Sequence, residues 1–215
     1  MARFGWERWA ALGGCAFAVL YVIAFTTTGI DFDDTDQAVL AHYGSSSARA
    51  KEMVAFFLIA AAVLALVVFG SGLRTAIWRE TDRSNPLAAL AWAGTTGCGA
   101  LILAGNALSR ATAFAAFDDK LILNPSTRKL FENAGYLLFV SAVLAAILLV
   151  VAVAIAVFRH RTFSRWVGWL SVVVALLLPL AIVFIGFLVF LVWVLAVSVA
   201  LWSRSRAETA TTVAA

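Results

Sequence analysis

Residues 166–202 form a run of 37 without a single charged side chain. As one α-helix the run would extend about 55 Å, against a bilayer hydrocarbon core of about 30 Å. It is too long for one crossing and long enough for two, provided that it bends. Pro179 and Gly186 supply the bend, because proline interrupts the helical hydrogen-bond ladder and glycine tolerates a turn. The sequence therefore predicts a tight hairpin of two spans, 166–180 and 185–202.

Four more apolar runs precede the hairpin, at 9–28, 53–73, 86–109 and 134–158. The expected fold is thus all-α: a polytopic transmembrane bundle of six spans over residues 1–203, with a disordered cytoplasmic tail at 204–215. Composition agrees, since charged residues make up 13% of the chain and hydrophobic residues 63%, where a soluble domain carries about 25% charge. The first run has no small-residue cleavage site near its end and is expected to stay as a span. Leu12-Gly13-Gly14-Cys15 looks like a lipoprotein cleavage box, but only residues 10–12 precede it as an apolar region, too few for a signal. Cys15 and Cys98 read as packing residues, because their depths in the two spans would have to coincide for a disulfide.

Orientation follows from the loops. With six spans, the segments on the side of the termini hold ten arginines against four acids, and the opposite side holds six basic residues against eight acids. The positive-inside rule places both termini in the cytoplasm. Trp6, Trp9, Trp78, Trp166, Trp169 and Trp202 fall at that same interface, where indoles prefer to sit. The net charge of +4 is thereby explained as a topology signal, and nucleic acid is not an expected partner.

The longer connections carry their own signals. Asp31, Asp33, Asp34 and Asp36 form an acidic run that lacks the fifth-position ligand, the glycine at six and the glutamate at twelve of a calcium loop. The run reads as a solvated cap for a short surface helix from Asp36 to Tyr43, stopped by Gly44. Between 109 and 133, Phe114, Phe117 and Leu121 share a helical face, and Asp118, Asp119 and Lys120 lie off it, predicting a segment in the membrane interface. Asn124-Pro125 reads as an N-cap and first helical residue, so the fourth helix begins early and runs on to Phe158. Arg74, Arg79 and Arg83 mark a short basic loop, closed by Pro86 at the start of the third span.

The third span differs from the rest. Ala88, Ala91, Thr95, Gly99, Ile102 and Asn106 recur at three- and four-residue steps, with Cys98 beside them. Such a face is too small and polar for lipid and is expected at the middle of the bundle, against other helices. The fourth span, with Ser141, Ala145, Ala152 and Ala156, is its expected partner. Thr95, Cys98 and Asn106 are the candidate ligand-binding residues, for a lipid or another hydrophobic molecule. The competing reading makes Asn106 an interhelical hydrogen bond and the small residues a packing seam.

Chemistry is narrowed by exclusion. His42 and His160 lie in loops on opposite faces, so a haem held between helices is not expected. No span carries an ionisable residue in its central part, which argues against ion or proton coupling. Phosphate-binding glycine loops, zinc-ligand spacings and nucleophile elbows are missing. No cofactor, metal site or catalytic residue is expected, and an enzyme would need the acids at 31–36 and 118–119 brought to one rim.

Asp34-Thr-Asp36-Gln-Ala-Val-Leu-Ala-His-Tyr43, Val68-Phe-Gly-Ser-Gly-Leu-Arg74, Arg165-Trp-Val-Gly-Trp-Leu170 and Trp193-Val-Leu-Ala-Val-Ser198 together resemble small six-span membrane proteins common in actinobacterial genomes, classed as a domain of unknown function. The resemblance implies the fold and a plasma-membrane address, and brings no activity or catalytic residue with it. The expected role is a non-enzymatic accessory or scaffold protein that binds partner helices of another membrane protein or of a second copy. The alternative is a binder or transporter of a lipid or small hydrophobic molecule.

Overall fold

The computed structural model describes residues 4–27, 35–81, 86–116 and 124–213. It is helical throughout, with α1 (Phe4–Thr27), α2 (Asp36–Gly44), α3 (Ser46–Glu80), α4 (Leu87–Ala115), α5 (Pro125–His160), α6 (Arg165–Leu177), a 3₁₀ turn (Leu178–Val183) and α7 (Ile185–Val213). All but α2 belong to six segments long and apolar enough to cross a membrane, α6 and its 3₁₀ turn counting as one. The chain is a six-span, all-helical membrane bundle.

The spans close into a ring in chain order: α1 packs on α3, α3 on α4, α4 on α5, α5 on α6, α6 on α7, and α7 returns to α1. The ring has a filled axis. Phe17, Phe69, Phe187, Phe190, Leu149 and Trp193 are all buried there, and Phe69 meets the indole of Trp193 edge-on, 6.4 Å between centroids. Trp193 Nε1 donates to Ser171 Oγ at 2.9 Å, and Ser171 Oγ in turn donates to Val167 O, so the one polar atom of this indole is satisfied in the core.

Glycine sets how closely the helices approach. A Cβ on Gly13 would lie 2.8 Å from Ala65 O, and one on Gly14 would collide with the Phe69 ring and Ser198. The pair that resembles a cleavage box is therefore the seat on which α1 meets α3 and α7. At Gly105 and Gly135 the α4 and α5 backbones meet, each position's would-be Cβ lying 2.7 Å from the other's carbonyl oxygen. The expected pairing of the third and fourth spans is present, and of its expected seam Ala145 lies against Gly97 and Ala152 and Ala156 are buried. Gly135, Ala142, Ala146 and Leu149 are buried as well, whereas Ser141 is exposed and its hydroxyl turns back to Leu137 O.

The hairpin bends where proline and glycine predict, with altered roles. The left-handed residue is Phe184, at φ 65. Gly186 is needed for closeness, since a Cβ there would sit 2.6 Å from Leu178 O. Phe184 carries its strained backbone because its ring is stacked against Phe25 and Phe139. Tyr136 of α5 donates its hydroxyl to Ile182 O at 2.7 Å, satisfying a turn carbonyl that lipid could not.

Several boundaries move outward. The third span, α4, runs on to Ala115, so Arg110 and Phe114 extend the span instead of opening an interfacial segment; Arg110 is held by Glu52 and Phe114 packs on Phe56. Phe117, Asp118, Asp119, Lys120 and Leu121 lie outside the described residues, as do Asp31, Asp33 and Asp34. The helix of the fourth span, α5, starts as expected, with Asn124 Oδ1 accepting from Ser126 N at 2.9 Å. The short second helix is capped by Thr35, whose hydroxyl accepts from Ala38 N, not by a carboxylate. The last helix continues to Val213, into the 204–215 stretch expected to be disordered: residues 204–213 contain neither glycine nor proline, and Arg204 is tied to Glu80 and to Thr162 O.

Candidate functional site

The stripe on α4 is buried along its whole length: Ala88, Ala91, Thr95, Cys98, Gly99, Ile102 and Asn106. It faces α3. Thr95 stands directly over Gly70, whose missing side chain gives it room, and Gly99 lies opposite Val63. The Thr95 hydroxyl donates to Ala91 O on its own helix at 2.9 Å, which leaves the methyl group to fill the contact. Cys98 is 1% exposed and is a free thiol. Asn106 Nδ2 donates across the interface to Phe56 O at 3.2 Å, and Asn106 Oδ1 is buried with no donor among the described residues. Thr95, Cys98 and Asn106 thus share one face, spread over three turns of the α3–α4 contact.

One turn beyond Asn106 lies a cluster that the sequence reading passes over. Arg110 on α4 pairs with Glu52 on α3, and His42 Nε2 on α2 lies 3.6 Å from the same carboxylate. Glu52 is 6% exposed. Each ion here replaces water with a partner charge, as a buried charge requires. The pair was readable: Glu52 precedes the second span and Arg110 follows the third, so antiparallel neighbours bring them to one membrane face. Farther out, Lys129 pairs with Asp36 at 3.2 Å and Arg128 with Glu132. Among the described residues no three His, Cys, Asp or Glu side chains group as metal ligands.

The opposite end carries a second set of ions. Buried Glu7 accepts from Arg79, and Glu80 accepts from Arg204. Trp6, Trp9, Trp78, Trp166 and Trp169 are exposed at this end, Trp202 is half-buried, and Arg74 lies 5.7 Å over the Trp92 ring. Chemically these arrangements neutralise charge and anchor indoles.

The outward face of α4 is as distinctive as its buried one. Between Leu87 and Ala113 its exposed residues are Ala89, Ala93, Ala100, Ala104 and Ala107, all alanine. Beyond this stretch α4 exposes one large apolar side chain, Phe114 at its end, whereas every other spanning helix exposes several: Val19 and Phe25 on α1, Phe57 and Leu64 on α3, Leu137 and Leu144 on α5, Val173 and Leu176 on α6, Leu188 and Val192 on α7. No family model, curated protein or solved structure matches this chain.

Proposed function

We propose that this is a plasma-membrane protein with both termini in the cytoplasm, acting without catalysis as an accessory or scaffold that receives a partner transmembrane helix on the outer face of α4. The observation that carries this reading is the row of five exposed alanines. Helices in lipid gain nothing from hiding apolar surface, since the tails are equally apolar. They associate by close backbone approach, and small side chains permit it. A helix meant to face only lipid has no reason to present alanine at each exposed position over the 27 residues from Leu87 to Ala113.

The reading is tested by placing a photo-crosslinking residue at Ala100 on α4 and, separately, at Val19 on α1, which is exposed and lies off α4, in native membranes. A product of defined mass from position 100, weak or missing from position 19 and lost when Ala104→Phe is added, is the expected result. Equal labelling of both positions by lipid alone would sink it. The alternative, a lipid or hydrophobic ligand at Thr95, Cys98 and Asn106, draws on one atom, the unpartnered acceptor Asn106 Oδ1.

A further inference from the structure

The turn between α5 and α6 takes four residues, Arg161 to Ser164, at the end of the bundle that carries the exposed indoles. Between this turn and α7 lies an open cleft of about 540 Å3, bounded by Arg161, Thr162, Ser164, Trp166, Val199 and Ser203 among others. Its wall is divided by chemistry. Arg161 and Ser164 offer a cation and a hydroxyl, the Ser203 hydroxyl donates to Val199 O at 2.8 Å, and Trp166 and Val199 are exposed apolar surface. Below Val199 the same face of α7 continues as Leu195, Val192 and Leu188, all exposed at three- and four-residue steps. The cleft therefore opens onto an apolar track that runs toward the membrane centre.

The acid that borders the cleft is already neutralised. Arg204 donates to Glu80 Oε1 and to Thr162 O at 2.8 Å and lies 5.9 Å over the Phe163 ring. The guanidinium groups of Arg159, Arg161 and Arg165, by contrast, have no ionic or hydrogen-bond partner among the described residues. Among the described residues, three arginines without a partner acid thus fall within seven residues. Arg161 itself caps α5 at φ 54, a left-handed position that glycine usually takes, so a charged side chain stands where backbone geometry alone favours none.

We infer that this cleft binds the headgroup of an anionic phospholipid: Arg161 pairs with the phosphate, the hydroxyl of Ser164 lies beside it, Ser203 bounds the cleft, and the acyl chains follow the α7 track. Guanidinium matches phosphate oxygens two at a time, and a cation at the level of the indole belt meets headgroups rather than tails. A soluble phosphate ester fits the polar half of the wall but not the apolar half. The inference is independent of the α4 face.

The test is native mass spectrometry of the full chain released from vesicles of equal parts phosphatidylglycerol and phosphatidylcholine. Retained phosphatidylglycerol should exceed phosphatidylcholine, and Arg161→Asn, which tolerates the left-handed backbone, should weaken its retention about fivefold, the worth of one basic side chain at an anionic surface. Arg161→Lys should restore most of it, and Lys51→Asn, at the other end of the bundle, should change nothing. If Arg161→Asn does not fold, Ser203→Phe fills the cleft without altering charge and should give the same loss. Equal retention of the two lipids, or equal effects of Arg161→Asn and Lys51→Asn, overturns the inference. Displacement of phosphatidylglycerol by inorganic phosphate as complete as by excess phosphatidylglycerol assigns the cleft to soluble phosphate and overturns it as well.

Discussion

Asn106 shows how much one side chain carries in a bundle without an aqueous core. Its amide crosses from α4 to Phe56 O, and its second polar atom has no donor among the described residues. Asn106→Leu removes one interhelical bond and one unsatisfied acceptor together, so the net loss should be small, about 1 kcal/mol in a detergent unfolding titration. An unchanged titration accompanied by loss of a bound small mass would instead favour the ligand reading of Thr95, Cys98 and Asn106. The buried stripe was legible from spacing because a helix repeats every three to four residues and lipid rejects an asparagine. Its partner was not: Gly70 is one glycine among 14, and only the packed structure shows Thr95 above it.

At the scale of an element, the 166–202 hairpin was readable as two spans from length alone, and the bend from Pro179 and Gly186. The residue that pins it was not readable. Tyr136 lies on another helix, 46 positions before the carbonyl it meets, and nothing local marks that pairing. Tyr136→Phe should leave the bundle assembled and weaken the turn by about 1 kcal/mol, read as faster hydrogen exchange at Phe184 and Phe187, whose amides bond within the turn. Uniform exchange across wild type and variant would remove the tyrosine from this role. The early start of the fourth helix was legible because Asn-Pro is a local signal. The continuation of α4 past Ser109 was not, because Arg110 looks like the end of a span until Glu52 is found beside it.

For the whole molecule, composition and loop charge suffice for the class, the span count and an expected orientation, because the bilayer admits few solutions. The order of helices around the ring follows from short connections between antiparallel neighbours, yet which face of each turns inward depends on contacts such as Gly105 with Gly135. Orientation has a direct check. In a chain with Cys15 and Cys98 replaced by alanine, Ser203→Cys should react with an impermeant thiol reagent only from the cytoplasmic side and Ser47→Cys only from outside. Reaction of both from one side would mean a different number of crossings.

The hairpin also gives the ring unequal walls. Thirteen α-helical residues and six in the 3₁₀ turn make the α6 wall about 32 Å tall, close to the thickness of an unperturbed hydrocarbon layer. The 36 residues of α5 beside it reach about 54 Å. Lipid along α6 meets a wall of its own height, and lipid along α5 meets one that outruns it and must be matched by tilt or by protrusion into water. The short wall therefore acts as a depth gauge, fixing how far the bundle sinks into the bilayer and leaving the excess length of α5 on the side of the 124–125 cap.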